Sequence, residues 1–488
     1  MTAITTSQIA DDRFQIHHHN FAETILQEWI SQISILESRF VGLHSTSEKS
    51  DLHVESATHR KCSRRMSRLD FLIFFALFLE PAVFCWSKVL SEQSMIRIPQ
   101  QVWRQAAHQH QTRIRELLQP GLTSLDKPLN ASTKKFRAEG DWVTALDPKN
   151  PVYNFLIEYY GLKGKKGTRR LFRWSPSPGL LAQRKTQRID TLEEYEELSY
   201  LYTQESHSYP IVDRGVLLEG ASEDDFATNI HLRGATIVEG QGVLYSPAQF
   251  FGKGDSSRDH DNTRASAPFL WYQSILKQTL DSEPVLHCYG LHEWAMQYQP
   301  AGAPPPPSGK YQAHLPLRVS RDVINDTVER KGVSCTHVDA LRFFAEDALP
   351  LNRFGGPLQR TDQARLEQPA CVHAHMDLLK MVLKLSPFCD PILLQRVLQV
   401  ALEARRLDVA ASPYDASAYG IGVVPIDTAE GRAEYRQQQL DLLKRVEPVR
   451  RDLFKAYNFF LPLAFDETTI GEGSNRLPQA QKRLAYPS

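Results

Sequence analysis

Residues 370–407, ACVHAHMDLLKMVLKLSPFCDPILLQRVLQVALEARRL, decide the fold class of this chain. In the first half of the stretch, apolar side chains recur at helical spacing, on a stripe that also contains His375. At about 100° per residue, His373 and Asp377 lie together on another face of the same helix. The stretch therefore predicts two consecutive helices, Ala370–Leu385 and Pro391–Leu407.

Further helices are predicted on both sides of this pair. They are Gln101–Leu118, Pro151–Tyr160, Ser266–Ser282, Leu291–Gln299, Val319–Glu329, Thr336–Ala348 and Thr428–Leu461. Short strands punctuated by Gly, Asp and Asn are predicted at 215–220, 235–240 and 242–245. We therefore expect a mainly α fold with a small β-containing part.

The predicted domain organisation follows from these elements. Residues 96–265 form a mixed α/β part, and residues 266–465 form a helical domain that carries the expected site. Residues 1–95 precede them as a low-order extension, and residues 466–488 follow as a tail.

The composition excludes several classes of protein. The chain has 488 residues and is 42% hydrophobic, which is enough for a core and excludes disorder of the whole chain. Basic and acidic residues are equal in number, 57 each, which argues against a protein that coats nucleic acid through bulk charge. Six cysteines in this length do not make a disulfide scaffold, so a reducing compartment is expected for the main body.

An apolar run, residues 71–86, follows a basic stretch at 61–68. The run is shorter than the ~20 apolar residues of a spanning helix, and Glu80-Pro81 interrupts it. Three interpretations stay open: a targeting or membrane-anchor segment, a buried helix, or a wrongly assigned gene start. The first of these implies a membrane contact through residues 71–86, or targeting of the protein to an organelle.

Three short segments of the predicted helical domain combine histidine, cysteine and a carboxylate. They are residues 287–294 (HCYGLHEW), 334–339 (SCTHVD) and 371–377 (CVHAHMD). Helical bundles build metal sites from such segments because several helices direct ligands to one internal point, and imidazole with carboxylate suits iron or zinc. We therefore predict a divalent metal, iron or zinc, whose ligands are His292, His337 and His373. Glu293, Asp339 or Asp377 is predicted as a further ligand or as the catalytic base.

Two other interpretations of these segments remain. In the first, a histidine without metal acts as the acid–base catalyst and is oriented by Glu293, Asp339 or Asp377. In the second, the histidines are satisfied polar groups at helix starts, and the cysteines are small buried apolar residues. A zinc-finger spacing is absent from the sequence, which contains no CxxC pair.

Six basic residues and no acidic residue occupy positions 163–173, and aromatic residues flank them. A site for nucleic acid needs basic side chains that contact the phosphate backbone and aromatic rings on which the nucleobases stack. The predicted nucleic-acid contacts are Lys165, Lys166, Arg169, Arg170 and Trp174, and the alternative is a solvated surface loop.

A second candidate strip, residues 407–415 (LDVAASPYD), follows a predicted helix. It offers two carboxylates, Asp408 and Asp415, and the phenol of Tyr414 in a loop. The alternative is a turn that only ends the helix.

Several stretches resemble a family of proteins from actinobacteria, cyanobacteria and algae that is commonly labelled 3-methyladenine DNA glycosylase. They are Pro151–Tyr160, Arg173–Pro176, Gly290–Tyr298, Cys335–Phe344, Gln368–Pro387 and Ser412–Tyr435, and the resemblance covers roughly residues 100–460. It implies hydrolysis of the N-glycosidic bond of an alkylated base in DNA repair. A carboxylate would stabilise the cationic sugar and aromatic rings would hold the extruded base, which points to Glu293 and Trp294. One glycosylase motif, close to Tyr-His-Asp-x-Glu-Trp-Gly, differs here because the acid directly follows His292.

The sequence thus favours a helix-rich, metal-dependent enzyme that hydrolyses or oxidises a small molecule or a nucleobase. The first alternative is the DNA glycosylase that the resemblance implies, with DNA contacted through residues 163–173. The second alternative is a non-catalytic helical protein held at a membrane by residues 71–86.

Overall fold

The computed structural model describes residues 95–122, 145–177, 188–197, 215–228, 230–231, 235–246, 262–303, 312, 314–465, 470 and 474. Their fold is mainly helical with one small mixed sheet, as the sequence predicts. The predicted domain boundaries remain predictions. Residues 71–86 and the tail after 474 lie outside the described part of the chain. None of the described helices combines the length and the apolar character that crossing a membrane requires.

The helices follow one another along the chain with three short 3₁₀ turns between them. The longer ones are α1 (Gln100–Leu118), α3 (Gly164–Phe172), α5 (Asn262–Leu280), α7 (Arg321–Lys331), α10 (Val372–Leu385), α11 (Pro391–Ala411) and α12 (Ala429–Ala464). The shorter ones are α2 (Asn154–Glu158), α4 (Glu223–Thr228), α6 (Leu291–Met296), α8 (Val338–Leu341) and α9 (Gln363–Leu366). The 3₁₀ turns are Glu346–Leu351, Arg360–Asp362 and Ser417–Tyr419, and a fourth, Gln119–Gly121, extends α1.

The sheet contains β1 (Ile96–Ile98), β2 (Val216–Glu219), β3 (Ala235–Val238) and β4 (Gly242–Tyr245) in the spatial order β1-β2-β4-β3. β1 is parallel to β2, and β4 is antiparallel to both β2 and β3. The three strands predicted at 215–245 are confirmed, whereas β1 was not predicted. Its three residues are too few for a period-two pattern to be recognised.

Two hydrophobic clusters form the core of the described residues, and α1 contributes to both. Its first half packs Val102 and Trp103 on the sheet, and its second half packs Ile114 and Leu118 on the helices. Within the helical cluster, α10 packs mainly on α11, and α12 packs on α5 and α11. The pair predicted from residues 370–407 therefore lies at the centre of the fold.

α11 ends four residues later than predicted, at Ala411. Asp408 therefore lies in the last turns of the helix and is fully buried, rather than in a loop. A buried carboxylate requires an ionic or hydrogen-bonded partner, and Asp408 has one on the same helix, Arg405, and one on a distant segment, His292. The predicted helix Thr336–Ala348 is also wrong in extent, because α8 covers only Val338–Leu341.

The basic strip at 163–173 forms α3, so the predicted loop is wrong. The residues that α3 buries are Gly167, Thr168, Leu171 and Phe172, which share one face of the helix. Lys165, Lys166 and Arg170 are exposed on the other side, and Arg169 is half-buried. Trp174 is only 1% exposed and packs in the sheet cluster with its ring tilted by 55° to that of Tyr195. The burial of this apolar ring corrects its predicted role as a nucleic-acid contact.

His110 joins α1, α3 and α11 in the interior. Its Nε2 atom lies 2.9 Å from the carbonyl oxygen of Leu171, and Gln395 donates to its Nδ1 atom at 3.0 Å. Burial lowers the pKa of His110 from 6.5 to about 4, although the contact with Leu171 acts in the opposite direction. The folded protein therefore holds this imidazole neutral.

We expect His110 to make the fold sensitive to acid. Between pH 6.5 and pH 4 the unfolded chain protonates this side chain and the folded chain does not. The unfolded state then binds more protons than the folded state does. The contribution of His110 to the free energy of unfolding therefore decreases as the pH is lowered, by up to about 3 kcal/mol. In His110→Gln this component should be absent when urea denaturation is compared at pH 7 and pH 4.5. His108→Gln, on the exposed face of the same helix, should keep the wild-type dependence. Parallel pH profiles for all three proteins would contradict the expectation.

Candidate metal centre

A close approach between α6 and the end of α11 positions His292. Gly290 precedes α6 with a φ of 68°, and a Cβ atom there would lie 3.2 Å from the Cβ of Ala411. Trp294 donates from Nε1 to the carbonyl oxygen of Ala411 at 2.8 Å and is itself fully buried. The short helix is thereby fixed with His292 against the last turns of α11.

His292, His373 and Asp408 form a first group of side chains that could hold a metal ion. Their candidate ligand atoms all lie within 4.8 Å of one another. The Nε2 atom of His292 is 2.7 Å from Oδ1 of Asp408, and both side chains are fully buried. Neither of these two atoms has a hydrogen bond of acceptable geometry, and neither does Nδ1 of His292. The two side chains nevertheless form a close ion pair, and imidazole with carboxylate is a donor combination that a divalent metal accepts.

His337, Glu367 and Asp377 form a second group of this kind, with ligand atoms again within 4.8 Å of one another. Nε2 of His337 lies 3.4 Å from Oδ2 of Asp377, while Nδ1 of His337 is buried without a hydrogen bond. The hydroxyl of Tyr160 donates to Oδ1 of Asp377 at 3.3 Å. Gln363 donates to Glu367 at 3.2 Å, so each carboxylate also has a supporting donor.

The ring of His373 lies between the two groups. Its centroid is 4.3 Å from that of His292 and 5.0 Å from that of His337, on which it stacks at 23°. The three histidines predicted from distant segments are therefore neighbours, but His337 belongs to a different group from His292 and His373, so the three do not form the single ligand set that was predicted. His375, two residues further along α10, lies on the other side of the helix and receives a hydrogen bond from Arg450 at 2.9 Å.

Arg405 pairs with Asp408 of the first group and with Glu293. From α11 it donates to Oε1 of Glu293 at 2.8 Å and to Oδ2 of Asp408, and its Nε donates to the carbonyl oxygen of Pro151 at 3.0 Å. Burial alone would lower the pKa of Arg405, but Glu293 and Asp408 raise it. The guanidinium is therefore a permanent cation that orients both carboxylates.

Charge pairing dominates the electrostatics of both groups. Burial lowers the pKa of His292, but the Asp408 carboxylate outweighs burial and raises it to about 10. Burial likewise opposes ionisation of Asp377, yet the hydrogen bond with His337 brings the pKa of this carboxyl below its usual range. Burial and the neighbouring His292 and His337 keep the pKa of His373 well below its ordinary value. Asp408 and Asp377 are therefore ionised beside imidazole partners, and a metal ion bound to His292 would replace the proton that this ring carries.

A cavity of about 150 Å³ opens beside the two groups. His337, His373 and Asp377 line it, whereas His292, Glu367 and Asp408 are absent from its wall and lie behind. The remaining lining includes Phe155, Tyr159, Tyr160, Phe343, Glu293, Arg405, Asp339 and Lys380. Each group therefore has at least one ligand in the cavity wall and at least one ligand buried behind that wall.

The remaining predicted site residues have different surroundings. Asp339 lies on the cavity rim, paired with Arg360 at 3.1 Å, and belongs to neither metal-ligand group. Glu293 lines the cavity with its Oε2 atom buried and without a hydrogen bond. Trp294 is fully buried in the core, so it has no free face on which an extruded base could stack.

Sequence analysis missed two members of the groups, Asp408 and Glu367. Asp408 was noted only as part of a strip thought to lie in a loop, and Glu367 precedes the segment 371–377. The signal available for Asp408 was its position, three residues after Arg405 and on the apolar face of the helix, where a carboxylate is unusual. Glu367 offered no comparable signal.

Comparison of the chain with protein-family models, curated proteins and solved structures found no match.

Proposed function

We propose that this protein is a metal-dependent enzyme that acts on a small molecule in the cavity beside the two metal-ligand groups. The observation that carries the proposal is the position of these groups. Each has three buried or nearly buried donors, and each has at least one donor in the cavity wall. Structural metal sites are usually closed by four protein ligands, whereas catalytic sites keep a position open toward the substrate.

The donor set of the first group favours iron or zinc, the metals that the sequence predicts. Two imidazoles with one carboxylate occur in zinc hydrolases and in non-haem iron oxygenases, and they suit both metals. Hydrolysis is our leading reaction, because a bound divalent metal acts as a Lewis acid and supplies this chemistry without a redox partner. Oxidation is the alternative, and the identity of the metal distinguishes the two.

The residues around the cavity supply the other parts of such an enzyme. Phe155, Tyr159 and Phe343 give an apolar wall for a substrate, and Lys380 places a cation beside it. Glu293 has a carboxylate oxygen without a hydrogen bond, held in place by Arg405, and is our candidate for the general base. Tyr160 and Gln363 orient the carboxylates of the second group.

Elemental analysis of the purified full-length protein tests this proposal. We expect near-stoichiometric iron or zinc, and we expect His337→Ala to lose a large part of it because one of three protein ligands is removed. His314→Ala is the matched control, since His314 contacts only the carbonyl oxygen of Lys149 at the surface. A wild-type protein without bound metal after purification and reloading would refute the proposal.

Base excision from DNA is our second proposal, and the exposed side of α3 favours it. Lys165, Lys166 and Arg170 are exposed there, and α2, just before it in sequence, supplies part of the cavity wall. A base extruded into the cavity would meet Glu293 and the rings of Tyr159 and Phe343. Release of methylated base from alkylated duplex DNA tests this proposal. Neutralising Lys165, Lys166 and Arg170 should then weaken DNA binding and its salt dependence.

A further inference from the structure

We propose that the two metal-ligand groups form a single centre for two divalent cations. This inference rests on the proposed function, because it assumes that both groups bind metal. It goes further by assigning two ions to each chain and by placing them next to each other. The ligands of the first ion would be His292, His373 and Asp408, and those of the second would be His337, Glu367 and Asp377.

Helix α10 carries ligands of both groups. His373 of the first group and Asp377 of the second are four residues apart on this helix, on successive turns. Four residues span about 6 Å along a helix axis, so the two side chains leave the helix close to each other. The rings of His373 and His337 are stacked with centroids 5.0 Å apart, which leaves no room for a layer of protein between the sites.

Unsatisfied buried atoms occur in both groups, and this supports two ions rather than one. In the first group they are Nδ1 and Nε2 of His292 and Oδ1 of Asp408, and in the second group Nδ1 of His337. Both His292 and Asp408 are fully buried, and His337 is 4% exposed. An ion in one group alone would leave unsatisfied nitrogen atoms in the other group, which buried polar atoms rarely are.

The charge balance agrees with two divalent ions. The six ligands include three carboxylates, those of Asp408, Glu367 and Asp377. Arg405 is the cation that pairs with Asp408, and it also pairs with Glu293. Three carboxylates exceed the charge of a single divalent ion, whereas two ions would offset all of them.

The test uses the full-length protein, stripped with a chelator and reloaded with Mn²⁺ alone. Free Mn²⁺ measured by electron paramagnetic resonance gives the number of ions bound, and the low-temperature spectrum reports their distance. We expect two Mn²⁺ per chain with a spectrum broadened by interaction between the two spins. Asp408→Asn and Glu367→Gln preserve side-chain shape, and each should bind one Mn²⁺ with the sharp six-line spectrum of an isolated ion. Asp339→Asn, a carboxylate of the same cavity outside both groups, should bind two.

The possible outcomes separate this inference from the proposed function. One Mn²⁺ per chain in the wild type would overturn the two-ion centre and leave a metal-dependent enzyme with one site. Two ions without spin interaction would also overturn it, because the sites would then be independent. No bound Mn²⁺, iron or zinc would refute both proposals. Circular dichroism of each variant confirms that a lost ion does not result from a lost fold.

Discussion

Arg405→Met is expected to lower the free energy of unfolding by about 3–5 kcal/mol. Arg405 is 6% exposed, and it pairs with the buried carboxylates of Glu293 and Asp408. The methionine fills much of the same volume but leaves Glu293 without its cation and leaves Asp408 with His292 as its only ionic partner. Burying an uncompensated charge costs far more than an ordinary surface substitution does.

Urea denaturation in the presence of chelator measures this effect without a contribution from bound metal. Arg406→Met is the matched control, because Arg406 is the next residue, is exposed, and donates only to the carbonyl oxygen of Gly420. We expect the control to change the free energy of unfolding by less than about 1 kcal/mol. Adding Glu293→Gln to Arg405→Met should restore part of the loss, since one of the stranded charges is removed. Equal effects at positions 405 and 406 would show that the buried ion cluster does not stabilise the fold.

His373→Ala is expected to weaken metal binding at least 100-fold. Loss of a residue that only supports a ligand already costs about 10–100-fold in metal affinity, and His373 is a candidate ligand itself. The substitution also removes the ring that stacks on His337, so the second group loses part of its support. Activity that depends on the metal should fall with the bound metal.

His375→Gln provides the control for this effect on the same helix. His375 is fully buried and accepts a hydrogen bond from Arg450, which the carbonyl oxygen of glutamine can accept instead. We expect its metal content to equal that of the wild type, as measured by elemental analysis after dialysis against buffered metal. Similar losses at positions 373 and 375 would indicate a general disturbance of α10 and would count against the assigned ligand.

The helices could be predicted with good accuracy because their signals are local. The apolar stripe of α10 has a period that a helix alone satisfies, and Pro391 stands at the first turn of α11. The separation of His373 from His375 onto different sides of α10 followed from the same period. The polar strip 163–173 was misassigned because its helix depends on the burial of Leu171 and Phe172 against distant segments.

The candidate site could be predicted only in part. The concentration of histidine with carboxylate in three segments identified His292, His337 and His373, whose rings are neighbours in the fold. The same signal favoured Asp339, which lies in one of the three segments, and did not identify Asp408, whose strip 407–415 contains no histidine. The choice depends on which carboxylate is carried inward, and Asp408 is buried whereas Asp339 lies at the cavity rim.

The sequence by itself determined the helical class, the position of the central helix pair and the residue types available for metal binding. These properties depend on side-chain chemistry and on periods of a few residues, which the chain carries in its local order. Only the tertiary structure decided which carboxylates are buried and which residues they contact. Glu293, Arg405 and Asp408 meet because α6 packs against the end of α11, and Glu367 meets His337 and Asp377 through contacts between separate segments. Apart from the pair of Arg405 and Asp408, which are three residues apart on α11, these contacts join residues far apart in sequence, and no local pattern encodes them.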